Sequence, residues 1–151
     1  MRRRARIDQR GSCLILSSYS VTAAGFFILN DTMRVVAADT DGQQLGLLVL
    51  QMLDACRGPV PTPSRDDYPL PSLTALLALA GVRSLGQYHE NCLSVHANHV
   101  EQDAGFVSIH PSRNLGSRGG FEEMPGVSIR VELSDPTALG AAVREGLTRC
   151  R

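Results

Sequence analysis

Hydrophobic and polar residues alternate along this chain in two rhythms. The first third keeps to short apolar or alternating runs rich in β-formers: "CLILSSYS" (13–20), "GFFIL" (25–29) and "MRVVAAD" (33–39). A turn signal at Asn30–Asp31 divides the last two. Runs this closely spaced predict an antiparallel meander, because parallel neighbours need a crossover helix between them. From Leu45 the rhythm lengthens. Leu45, Val49, Leu53 and Cys56 fall at i, i+4, i+8 and i+11, one stripe of a helix. Asp41 is its expected N-cap, with Gln44 in capping-box position, and Gly58–Pro59 its stop.

Neither rhythm runs through "GPVPTPSRDDYPLP" (58–71), which holds five of the eight prolines. A stiffened loop of this length either presents Arg65, Asp66, Asp67 and Tyr68 or serves as a plain surface spacer. "SLTALLALAG" (72–81) predicts a short helix capped by Ser72 and buried on most sides, with "SLGQYHE" adding a turn. Alternation then returns in "CLSVHAN" (92–98), "GFVSIH" (105–110) and "GVSIRVEL" (126–133). A Gly-rich connection carrying Glu122 and Glu123 joins the last two. The chain closes on a second helix pattern, with Asp135 as N-cap and Pro136 in the first helical position, where its missing N–H is harmless.

The two longest helix patterns match. The 17-residue windows Asp41–Arg57 and Asp135–Arg151 share seven residues at identical offsets: Asp, Leu, Gly, Val, Leu, Cys and Arg. Two such helices docked on one sheet would explain the repetition, with the arginines at helix ends and the cysteines as small core-fillers. The expected architecture is α+β: an antiparallel sheet of about six strands with three helices packed on it, hinting at a βββα duplication.

Composition changes this picture little. The length of 151 residues suits one domain, and 43% hydrophobic with 20% charged residues argues against global disorder. All 15 basic residues are Arg, and the net charge is zero. Four arginines sit in "MRRRAR", leaving 15 acids against 11 arginines from Ile7 onward, a balance of −4. Residues 1–6 are therefore expected as a basic, flexible tip, and residues 7–151 as a single α+β domain. Ser17, Ser18, Tyr19, Ser20 and Thr22 interrupt the apolar stretch beyond the arginines, which argues against a secretory signal or a membrane span and points to the cytoplasm. Cys13, Cys56, Cys92 and Cys150 match no metal or redox spacing and are expected as buried free thiols.

Candidate chemistry is sparse. "GSRGG" (116–120) lacks the lysine and the strand-to-helix setting of a phosphate loop, and no serine sits in a nucleophile elbow. The densest cluster is "YHENCLSVHANH", with His89, Glu90, Cys92, His96 and His99. On a strand, Cys92 and His96 would lie about 13 Å apart, too far to share a metal. Ordinary surface histidines are the default, and a small hydrolase or transferase built around His89–His99 the alternative. An RNA-binding accessory protein using "MRRRAR" is a further alternative. Asp66–Asp67 and Glu122–Glu123 are adjacent pairs, unsuited to acid–base work across a cleft but suited to meeting a basic partner.

Several segments, in their order and spacing, resemble the immunity proteins of bacterial contact-dependent growth inhibition (CDI) systems. They are "SYS" followed by "GFF" (18–27), "LGLLVLQMLDACR" running into "VPTPSRDDYP", "LTALLALAGVRSLGQY" and "LGAAVREGLTRCR". The resemblance implies an α+β protein that is not an enzyme and needs no cofactor or metal. It would stay in the cytoplasm and bind the C-terminal toxin domain, often a nuclease, of a cognate effector by covering its active site. It implies no membrane and no direct nucleic-acid partner. Arg65, Asp66, Asp67, Tyr68, Glu122 and Glu123 are the expected toxin-binding residues.

Overall fold

In the computed structural model, which describes residues 1–151, the chain forms eight strands and five helices. The strands are β1 (Arg3–Arg10), β2 (Cys13–Thr22), β3 (Phe27–Ala37), β4 (Arg57–Val60), β5 (Cys92–His99), β6 (Phe106–Asn114), β7 (Phe121–Glu123) and β8 (Ile129–Glu132). The helices are α1 (Gly42–Asp54), α2 (Pro71–Ala80), α3 (Leu85–His89), α4 (Gly116–Gly119) and α5 (Pro136–Arg149). Six strands lie in the order β3-β2-β1-β5-β6-β7, each antiparallel to its neighbours, while β8 joins β6 and β4 runs parallel beside β2. The α+β architecture with a six-strand antiparallel path agrees with the pattern of the sequence.

β1 corrects the expectation of a frayed terminus. Arg3–Arg6 belong to a strand hydrogen-bonded on both sides, to β2 and to β5, at the centre of the sheet. "RARID" alternates, and its apolar members Ala5 and Ile7 are fully buried beneath α1 and α5. A second correction concerns Asn30–Asp31. The turn is replaced by a register slip inside one continuous β3. Asn30 is buried, and its Nδ2 donates to Ser18 Oγ at 3.1 Å and to the Ala55 carbonyl at 3.2 Å, so the side chain supplies bonds that the irregular ladder does not. Residues 58–71 also hold more structure than expected: the strand β4, then one 3-10 turn at Arg65–Asp67. α2 begins at Pro71 with Leu70, not Ser72, as its N-cap, and instead of being buried on most sides it buries only Leu76 and leaves Leu79 exposed.

α1 and α5 lie together on one face and close the main core, where Leu45, Val49, Leu139 and Val143 meet Ile7, Leu16, Val95 and Ile109. Each such side chain contributes about 1.5–3 kcal/mol by leaving water. Both helices are capped as expected: Asp41 Oδ2 accepts from Gln44 N at 3.1 Å, and Asp135 Oδ1 from Ala138 N at 2.9 Å.

The shared glycine has a specific use. A Cβ on Gly46 would stand 1.8 Å from the Pro136 carbonyl oxygen, and one on Gly140 would stand 1.9 Å from that of Gly42. Each glycine therefore receives the first turn of the other helix, in matching positions. The shared cysteines also act alike. Cys56 Sγ donates to the Arg4 carbonyl of β1 and Cys150 Sγ to the Ser94 carbonyl of β5, both at 3.1 Å. After α1, Arg57 pairs with β2, and after α5, the Arg151 backbone bonds Ser112 and Asn114 of β6. The two halves share one arrangement about the central β1–β5 pair.

Candidate functional site

The opposite face of the same strands is polar. Alternation on β1 sends Arg4, Arg6, Asp8 and Arg10 there, opposite Ser17 on β2 and His96 and Ser94 on β5. α2 and α3 cover part of this face through a small apolar cluster of Ile15, Met33, Leu76, Tyr88 and Cys92. Beside that cluster lies a cavity of about 390 Å³, floored by Arg4, Arg6, Tyr19 and His96 and walled by Phe27, Leu29, Leu73, Leu85, His89 and Phe121.

Asp8 anchors the floor. It is fully buried, and its Oδ2 accepts from Arg6 Nε at 2.9 Å and from the Tyr88 hydroxyl at 2.5 Å. Burial alone would favour losing the Arg6 charge, but Asp8 and the Tyr19 and Tyr88 oxygens hold it firmly protonated. Burial and Asp8 together push the Tyr88 hydroxyl up, so it serves only as a donor here. The Arg6 guanidinium sits against three rings, at 5.9 Å from Tyr19, 5.9 Å from Tyr88 and 5.6 Å from Phe121. Four buried side-chain polar atoms in the fold lack a hydrogen-bond partner: Asp8 Oδ1, Ser17 Oγ, His89 Nδ1 and Ser94 Oγ. All four belong to this layer, which the apolar face does not need to accommodate.

At the far edge Glu123 gathers a second cluster. Its Oε1 accepts from Arg4 NH2 at 2.8 Å and from Asn98 Nδ2 at 3.3 Å. The cross-strand pair His96 and His110 approaches the same carboxylate, at 3.6 and 3.8 Å. The His96 contact is not an ion pair: burial, with Arg4 and Arg6 nearby, lowers its pKa well below the ordinary value, so the ring is neutral. His89 is lowered too, first by burial and then by Arg6.

These positions correct the expectation of surface histidines, since His89 and His96 are both buried. Glu90 is exposed, and the His99 ring meets the Phe106 carbonyl through Nδ1 at 2.9 Å. No group of three or more His, Cys, Asp or Glu side chains has metal-binding geometry. Cys13 is exposed rather than buried, whereas Cys92 is buried and its thiol is pushed up to about 12.

The sequence-predicted contact residues come from two segments that the fold brings to one cavity. Arg65, Asp66 and Asp67 form an exposed turn, in which Asp67 Oδ2 accepts from Ser64 N at 2.6 Å. Tyr68, also exposed, lines the cavity together with Gly120 and Phe121, directly before exposed Glu122. Glu123 differs from the rest, being committed to Arg4 and Asn98. Arg4, Arg6, Asp8, Tyr19 and Tyr88 escaped the sequence-based selection. The period-two alternation of "RRARIDQR" was the available signal, obscured by a run of charge that ordinarily marks a solvated terminus.

A sequence model described as "CDI immunity protein" matches residues 3–150. Among solved structures, a protein of unknown function from Neisseria meningitidis has the same fold, with a TM-score of 0.80 at 21% identity, covering 100% of this chain and 96% of that one. A chain of the CdiA-CT/CdiI toxin and immunity complex from Yersinia pseudotuberculosis is also similar, with a TM-score of 0.76 at 17% identity, covering 100% and 98%. Comparison with curated proteins finds no match. No helix is long and apolar enough to cross a membrane.

Proposed function

The chain belongs to the CDI immunity protein family, and we propose that it binds and neutralises the C-terminal toxin domain of a cognate effector in the cytoplasm. The family match over residues 3–150 carries this reading. The relative of the same fold from Yersinia pseudotuberculosis comes from a toxin and immunity complex, which agrees with a protein partner. On this reading the chain acts by binding alone, without catalysis or cofactor.

The contact surface we propose is the rim of the cavity, with Arg65, Asp66, Asp67 and Tyr68 on one segment and Glu122 and Glu123 on the other. Two features support it. Both segments meet the same cavity, through Tyr68 and Phe121, and their free acids are exposed. An exposed acidic rim suits a nuclease, whose basic substrate groove attracts negative charge and whose encounter it would speed. Bound there, the protein would cover the toxin's active site.

The test is co-purification with the C-terminal toxin domain of a candidate cognate effector, followed by a nuclease assay. A complex with Kd at or below about 100 nM and loss of cleavage are expected. Absence of a complex would sink the reading. Reversing Asp66 and Glu122 to Arg should slow association at low salt while leaving the melting temperature in place. Unchanged kinetics would move the interface elsewhere.

A further inference from the structure

The cavity has more chemistry than an interface rim requires. Arg6 is largely buried, with its side chain 15% exposed, and it is pre-oriented: Nε is spent on Asp8, which is held in turn by Tyr88. Its two terminal nitrogens, bordering the cavity, bond no carboxylate and no carbonyl, and the Tyr88 hydroxyl beside them can occupy only part of their N–H set. A guanidinium held along one edge and bare along the other offers the parallel fork that receives two carboxylate oxygens.

Charge on this face points the same way. Arg4 and Arg6 are matched by Glu123 and Asp8, whereas Arg10 donates only to the backbone carbonyls of Ala80, Gln87 and Tyr88. Three guanidiniums against two carboxylates leave one positive charge without an ionic partner, that of Arg10. It lies against the Tyr88 ring outside the cavity lining and adds only to the positive potential of this face. A second polar group borders the space: the His89 ring lines the cavity and is neutral, its Nδ1 is buried without a partner, and no hydrogen bond engages its Nε2. The remaining walls are Leu29, Leu73, Leu85, Phe27 and Phe121. A volume of about 390 Å³ falls within the range of small-molecule sites, which combine apolar walls with a few convergent polar groups.

We propose that this cavity binds a small organic monoanion, a carboxylate on an aromatic or branched apolar body. The carboxylate lies against the terminal nitrogens of Arg6, His89 contributes one hydrogen bond, and the apolar body fills the space between α2 and Phe121. Tyr68 borders the mouth, so a bound molecule would also touch the rim proposed for the toxin. The site itself stands without that reading, because it is built from residues beneath the rim.

Calorimetry on the full chain with 3-phenylpropionate, indole-3-acetate and 4-methylvalerate, each beside its primary amide, tests the proposal. At least one acid should bind one-to-one with Kd below about 1 mM, at least about tenfold tighter than its amide. In NMR the Arg6 Nε–Hε signal should shift on titration. Arg6→Gln should erase the advantage of acid over amide. Leu73→Trp, which fills the cavity from α2 and leaves the Arg6–Asp8 pair untouched, should abolish binding of both; it decides the matter if Arg6→Gln does not fold. Failure of all three acids below that limit, equal affinity for acid and amide, or undiminished binding to folded Leu73→Trp would each overturn the proposal. None of these outcomes depends on whether a toxin binds.

Discussion

The two faces of this sheet are written by alternate residues of the same strands, and they are packed by opposite means. Under α1 and α5, Ala5, Ile7, Leu14 and Leu16 meet leucines and valines, and backbone touches backbone at Gly46 and Gly140. Under α2 and α3, Asp8, Ser17 and Ser94 are buried as polar groups beside a largely buried Arg6, four side-chain atoms go unpartnered, and a cavity stays open. The first face is a scaffold whose stability comes from area and close fit. The second holds charges in a low-dielectric layer, where each must be oriented by a neighbour or left for something else to satisfy. Buried polar layers are poor stabilisers, so this face contributes less to stability than the apolar one.

The contrast can be broken most severely at the shared glycines. In an exposed helix Gly→Ala stabilises by about 1 kcal/mol. At Gly46 or Gly140 the added methyl would enter a backbone carbonyl, so the helices must separate, at about 3 kcal/mol or more. A fall of about 6–12 °C in melting temperature is expected for either variant. The double variant should lose less than the sum, because the first separation already relieves the second site.

Next comes Asp8→Asn on the polar face, which leaves Arg6 buried without its counter-ion. Denaturant unfolding should show a loss of about 3 kcal/mol, while Tyr88→Phe, which removes only a hydrogen bond, should lose about 1 kcal/mol. Equal losses would mean that the charge pair contributes nothing beyond its hydrogen bonding.

The third contrast is in pH. His96 titrates at 6.5 when unfolded and well below that in the fold, because it is buried and faces Arg4 and Arg6. Between those two values the unfolded chain binds more protons. Stability is therefore full above about pH 6.5 and declines as pH falls below it, with a slope approaching 1.4 kcal/mol per unit for this one group. His89 shifts in the same direction. Urea titrations at pH 7.5 and 5.5 should show the decline, and His96→Gln should reduce it. An unchanged slope would place the proton elsewhere.

The smallest effect belongs to the outer side of α2. Leu79→Ser should change stability by less than about 0.5 kcal/mol, since Leu79 is half exposed. A larger loss would show that α2 is packed more deeply than its single buried residue, Leu76, indicates.

Much of the scaffold was legible in the residues. The helix stripes and their Asp caps follow from local spacing, and so do most of the strands. The duplicated windows signalled two equivalent helices, although the use of their glycines needed the partner helix in place. Asn30–Asp31 was misleading because its turn chemistry is satisfied by Ser18 and Ala55, both distant in sequence. The candidate site was half legible. Tyr68 and the exposed acids stand out in proline- and glycine-rich segments, but Arg4, Arg6 and Asp8 look like a solvated terminus until β2 and β5 close on either side.

By itself, then, the sequence determined which segments become helices and strands and which residues face one way or the other, because periodicity and capping act over a few residues. It also determined the family. Tertiary structure alone decided that a run of arginines becomes the central strand, that Asp8 and Tyr88 orient Arg6, and that Tyr68 meets Phe121 around one cavity. Those outcomes depend on strand pairing and desolvation between segments up to 119 residues apart, as in the Arg4–Glu123 bond, and no local pattern encodes a charge's distant partner.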